Sequence, residues 1–111
     1  EDVRFKFSFK TFDNRQIHSK SVMNIFRVIQ EIVSNAIKYS NASEVSVSLH
    51  QNDGELLIDV SDNGVGFDID AMKTKSFGLN NIYKRVSDMQ GTVELISEKG
   101  LGTQYKIKCL L

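Results

Sequence analysis

Five consecutive residues, Asp62-Asn63-Gly64-Val65-Gly66, end an apolar run with a carboxylate and follow it with two glycines. A carboxylate in such a place can accept a hydrogen bond from the exocyclic amine of adenine. It would repel the carbonyl that guanine carries there, so it would select ATP over GTP. Gly64 and Gly66 remove side chains where a base and sugar would press on the backbone. Upstream stands a second signal, Glu31-x-x-x-Asn35-Ala36-x-Lys38. On a helix, Arg27, Glu31, Asn35 and Lys38 fall within roughly 80° of one another. One stripe then offers a base, a neutral oxygen ligand and a cation. Ile25, Ile29, Ile32, Val33, Ala36 and Ile37 lie mainly on the other side.

Asn35 is the informative member of the stripe, because asparagine is a poor helix former where glutamate or glutamine would serve better. Magnesium explains it. Mg²⁺ takes oxygen ligands, one or two from protein and the rest from phosphates and waters. An amide oxygen binds the ion without adding negative charge beside a polyphosphate. Lys38 can meet phosphate as a point charge, and Glu31, one turn before Asn35, can orient or deprotonate an attacking group. Each piece also has a plainer reading. The stripe could be a solvated face with a Glu31–Arg27 pair worth a few tenths of a kcal/mol, and Asp62 could simply end a strand in a turn.

Two further segments extend the pattern. Ser76-Phe77-Gly78-Leu79-Asn80-Asn81-Ile82 opens a helix with a glycine, and backbone N–H groups at a helix start favour anions. Gly100-Leu101-Gly102-Thr103 reads as a hairpin turn, with Thr103 able to donate to a nucleotide or to Asp62. No Walker lysine motif is present, and the G-x-G is not a dinucleotide fingerprint, because a strand follows it. His18 and His50 have no partner pattern for metal or catalysis and read as solvated surface residues.

These residues need a scaffold. Val3, Phe5, Phe7 and Phe9 alternate with Arg4, Lys6, Ser8 and Lys10, the period-two pattern of a strand with one buried face. Apolar residues recur at helical spacing over 21–39, including Val22 and Phe26, with Ser19 or Ser21 as a cap. Val45, Val47 and Leu49 mark a strand, and Asn52-Asp53-Gly54 joins it as a hairpin to another over 55–61. Leu79, Ile82, Tyr83, Val86 and Met89 mark a second helix stopped by Gly91. Residues 92–97 and 103–110 form a last hairpin. This order predicts an α/β two-layer sandwich, a mostly antiparallel sheet with helices on one face.

The bulk numbers agree. At 111 residues the chain fits one domain, 1–111, able to bury a core. Fourteen basic and fourteen acidic residues cancel, so net charge gives no reason to expect nucleic acid as a partner. A single cysteine, Cys109, excludes an internal disulfide framework and fits a buried structural thiol in a reducing compartment. No apolar run is long enough to cross a bilayer. That leaves open a membrane-bound parent protein.

With those residues in place, the chain resembles the catalytic ATP-binding domain of a bacterial sensor histidine kinase, of the superfamily shared with DNA gyrase and the MutL repair protein. Residues 31–39 match the asparagine box, 62–66 the first glycine box, 77–82 a second glycine box and 100–103 the terminal glycine–threonine signature. The resemblance implies the Bergerat fold, with ATP under a short lid over 68–77. It implies Asn35 as magnesium ligand, Asp62 as adenine reader and Glu31 as the residue aiding phosphoryl transfer. Lys38, Tyr39, Gly64, Gly66, Gly78, Leu79 and Thr103 are the further expected nucleotide contacts. Tyr39 stands where many short-lid members carry histidine, and Gly78 lacks the neighbouring glycines of longer-lid kinases. In such kinases the phosphate goes to a histidine on an upstream dimerisation domain and then serves a response regulator. The expected location is cytoplasmic, in a parent that can be anchored in the inner membrane, and the fragment alone is expected to be monomeric. An anti-sigma serine kinase and a non-catalytic binding module share the fold and remain alternatives.

Overall fold

The structure, a computed structural model, describes residues 3–11, 19–66 and 77–110. Five strands, β1 (Arg4–Thr11), β2 (Glu44–Asn52), β3 (Glu55–Asp62), β4 (Thr92–Glu98) and β5 (Gly102–Leu110), form one sheet in the order β1-β2-β3-β5-β4. Among the described residues two helices, α1 (Ser19–Lys38) and α2 (Phe77–Asp88), cover one face. β1 runs parallel to β2, and the other three pairings are antiparallel. A parallel neighbour needs a long crossover, which α1 supplies. Asp53 and Gly54 both take positive φ, the backbone that a two-residue hairpin turn requires. The two-layer sandwich expected from the pattern is the observed architecture.

The core lies between that face and the helices. Val45 and Val47 of β2, Leu56, Ile58 and Val60 of β3, and Tyr105, Ile107 and Cys109 of β5 point into it. α1 contributes Ile25, Val28, Ile32 and Ala36, and α2 contributes Leu79, Ile82 and Val86, with Met89 just beyond its end. Burying each large side chain is worth about 1.5–3 kcal/mol. Cys109 is among them, with burial pushing its thiol pKa up to about 11. It is the structural thiol expected.

Three expectations need correction. Phe5, Phe7 and Phe9 do not form a buried face, being 54%, 67% and 53% exposed. Their register opposite Val45, Val47 and Leu49 puts them on the helix side of the sheet. β1 is an edge strand, however, and the apolar residues at the start of α1 do not close over it: Val22, Met23 and Phe26 are exposed as well. Ile37 is likewise exposed near the other end of α1. Ser21 stands inside α1, which begins at Ser19, and is not its cap.

The end of α2 also differs in its cause. Gln90, not Gly91, takes the left-handed conformation, with φ 55. The N–H of Gly91 donates to the Val86 carbonyl and that of Gln90 to the Ser87 carbonyl, the paired bonds of a Schellman motif. Gly91 is required for room, since a Cβ there would stand 2.6 Å from the Lys108 carbonyl oxygen.

Candidate nucleotide site

The helix side of the sheet carries Val60, then Asp62, at the end of β3, and Tyr105, then Thr103, opposite them on β5. Tyr105 is 2% exposed. Burial pushes its phenol up to about 12; the neighbouring Asn35 amide opposes that shift, while the charges of Tyr83, Asp62 and Glu31 add to it. The buried ring thus feels the charges of Glu31 and Asp62 and the Asn35 amide. Ser40 links two of them, its N–H donating to the Asn35 carbonyl and its hydroxyl to Asp62.

Asn35 does not sit on a solvated stripe. It is 3% exposed, and neither its amide nitrogen nor the Tyr105 hydroxyl completes a hydrogen bond among the described residues. Buried polar groups are normally paired, and the exceptions mark sites with a role other than packing. The stripe is graded, with Arg27 and Lys38 exposed, Glu31 half-buried and Asn35 enclosed. Glu31 forms no ion pair with Arg27 among the described residues.

Asp62 is held from one side. Its Oδ1 accepts from the Ser40 hydroxyl at 2.9 Å and from the Gly64 N–H at 2.8 Å. Its Oδ2 has no partner among the described residues and is available to a ligand. Asn63 fastens the segment to the start of β2: its Oδ1 accepts from the N–H groups of Ser43 and Glu44, and its amide donates to the Ser43 hydroxyl.

The glycines have a cause within the chain itself. A Cβ on Gly64 would stand 2.1 Å from the Ser40 carbonyl oxygen and 2.2 Å from its hydroxyl. On Gly66, where φ is +72, it would stand 2.1 Å from the Glu98 carbonyl oxygen. The chain's own backbone forbids a side chain at both positions, with or without a ligand. Gly102 is constrained in the same way by the Asp62 carbonyl.

Thr103 lies opposite Asp62 in the ladder, yet its hydroxyl pairs with that of Ser97 at 2.9 Å. Either hydroxyl can donate in that pair, and Ser97 also reaches the Gly102 carbonyl at 3.3 Å. A cleft of about 510 Å³ opens beside Asp62 and Thr103. Its other walls include Ser61, Ile96 and Gln104, which alternate out of phase with Val60 and Tyr105, so the cleft lies on the helix-free face and meets the site only at its edge.

Leu79 is buried in the core, so its side chain offers nothing to a ligand and only its backbone N–H remains. Gly78 stands in the first turn of α2, where N–H groups lack helical acceptors. Tyr39 is half-exposed just beyond α1, within one turn of Asn35. His50 is half-buried on β2, not solvated as expected. His18 and most of the expected lid, 68–76, lie outside the described residues.

This arrangement accompanies a family match over residues 21–111, to the histidine kinase-, DNA gyrase B-, and HSP90-like ATPase. The chain belongs to that ATPase family. Among curated proteins it is 42% identical over 85 residues to the sensor histidine kinase LiaS of Bacillus subtilis, covering 77% of this chain and 24% of that protein. It is 35% identical over 88 residues to the sensor protein VraS of Staphylococcus aureus, covering 79% of this chain and 25% of that protein. The chain therefore spans about a quarter of the length of these relatives. The histidine kinase domain of a blue-light activated histidine kinase from Erythrobacter litoralis superposes with a TM-score of 0.72 at 20% identity, over 96% of this chain and 52% of that one. At that identity it shows a shared fold.

The ATPase domain's donor set suits a magnesium nucleotide. No group of three or more His, Cys, Asp or Glu that could hold a metal exists among the described residues. A site that contributes one neutral oxygen leaves the remaining positions to phosphate and water, which is how Mg²⁺ is usually bound. Asn35 fits that demand.

Three contributors escaped the sequence reading: Ser40, Asn63 and Tyr105. Ser40 stands in a Ser-Asn-Ala-Ser run that reads as a turn, and Tyr105 in an alternation that reads as core. Neither pattern shows which polar atoms will meet.

Proposed function

We propose that this chain binds Mg-ATP and, within a longer sensor kinase, donates the γ-phosphate to a histidine on an upstream dimerisation domain. The observation that carries this reading is that Ser40 ties the Asn35 end of α1 to Asp62, while Asp62 Oδ2 and the buried Asn35 amide nitrogen have no partner among the described residues. Asp62 Oδ2 accepts from the adenine amine and so selects ATP. Asn35 would hold Mg²⁺ through its amide oxygen, and Lys38 at the end of α1 would face phosphate. When bound, Mg²⁺ would supply neutralisation of phosphate charge. Glu31 orients the acceptor imidazole and takes its proton as the nitrogen–phosphorus bond forms, and ADP departs when the bond to the β-phosphate breaks.

The resemblance of the chain to LiaS and VraS along a quarter of their length supports a sensor-kinase parent, with a response regulator as the downstream acceptor. No helix among the described residues is long and apolar enough to cross a membrane, in keeping with a cytoplasmic kinase portion. The test is phosphoryl transfer by the parent protein from γ-labelled ATP. Incorporation of acid-labile label that is lost on Glu31→Gln, with ATP affinity retained, is expected. Acid-stable label would instead indicate a serine kinase.

A further inference from the structure

Ser40 is fully buried at the end of α1, five residues beyond Asn35. Three bonds tie it to the glycine segment. Its hydroxyl donates to Asp62 Oδ1 at 2.9 Å and accepts from the Gly66 N–H at 3.1 Å, and its carbonyl accepts from the Val65 N–H at 2.7 Å. A hydroxyl has one proton, and here it is spent on Asp62. We propose that Ser40 is a positioning residue for adenine recognition, holding the Asp62 carboxylate by Oδ1 so that Oδ2 faces the base.

A carboxylate on a two-bond stem rotates readily. The Gly64 N–H approaches Oδ1 from one direction, and the Ser40 hydroxyl approaches the same oxygen from a second, which restricts rotation of the group. Ser40 also joins the helix that carries Asn35 to the strand end that carries Asp62, so the phosphate and adenine ends of the site share a fixed spacing. Gly64 lets the two elements approach that closely, since a Cβ there would meet the Ser40 carbonyl and hydroxyl. This inference rests on the reading of Asp62 as the adenine reader.

The test is a double-mutant cycle on the 111-residue chain: unsubstituted, Ser40→Ala, Asp62→Asn and the pair, each titrated calorimetrically with Mg-ATP and Mg-GTP. Ser40→Ala is expected to weaken ATP by about threefold to tenfold, the size of one lost hydrogen bond, and to narrow the preference over GTP. In the Asp62→Asn background the same substitution is expected to change ATP affinity little, because residues in one network couple. Ser40→Cys, which keeps a similar size with a weak donor, is expected to fall between, and serves if the alanine variant does not fold. Loss of thermal stability with unchanged selectivity, or additive effects, would overturn the positioning role while leaving Asp62 as the reader. If Asp62→Asn itself leaves ATP affinity unchanged, or the unsubstituted chain binds no nucleotide, the adenine reading fails and takes this inference with it.

Discussion

At the scale of single residues, the site is defined by unpartnered polar atoms more than by motif identity. Among the described residues the enclosed Asn35 amide nitrogen makes no hydrogen bond, so Asn35→Ala forfeits none there and should change the unfolding free energy by about 1 kcal/mol or less. The same variant should lose the magnesium-dependent part of nucleotide affinity; denaturant unfolding and titration with and without Mg²⁺ read the two effects separately. Gly64 behaves in the opposite way. A methyl there meets the Ser40 carbonyl and hydroxyl, so Gly64→Ala should destabilise the apo chain by about 1–3 kcal/mol through overpacking. A normal thermal midpoint with impaired ATP binding would instead return Gly64 to the role expected from sequence, a surface for the ligand. The residue types at 31, 35 and 62 were legible because chemistry limits what can hold a metal or read adenine. The role of Ser40 was not, because a serine in a turn carries no mark of the carboxylate it will meet 22 positions away.

At the scale of elements, periodicity located all five strands and both helices, since alternation and 3.6-residue spacing follow from backbone geometry. It failed where the covering layer matters. Phe5, Phe7 and Phe9 alternate as a buried face should, but a pattern specifies a face and not the partner that shields it. Gly91 was read as the stop of α2 by residue type, whereas the left-handed position is Gln90. A non-glycine residue held left-handed costs about 1 kcal/mol or more, so Gln90→Gly should stabilise the fold by about 0.5–1 kcal/mol. Gly91→Ala should destabilise it, because the added methyl meets the Lys108 carbonyl. Chemical denaturation of the two variants checks both signs.

At the scale of the whole molecule, two buried acids link the fold to pH. Burial raises Cys109 from 9.0 to about 11 and Tyr105 from 10.0 to about 12. The folded chain therefore keeps protons that the unfolded chain releases. Their contribution is complete below pH 9 and is lost as pH rises through the folded values. Stability measured by denaturant midpoint should fall steadily between pH 9 and 11, and Cys109→Ala should flatten that part of the profile. The central claim is that one face of this sandwich binds Mg-ATP through Asn35 and Asp62. Calorimetric titration of the chain with Mg-ATP and Mg-GTP, repeated without magnesium, tests it most directly. Binding that prefers adenine by tenfold or more, strengthens with Mg²⁺ and loses its preference in Asp62→Asn is predicted. Equal affinity for the two nucleotides, or no binding by the folded chain, would contradict it.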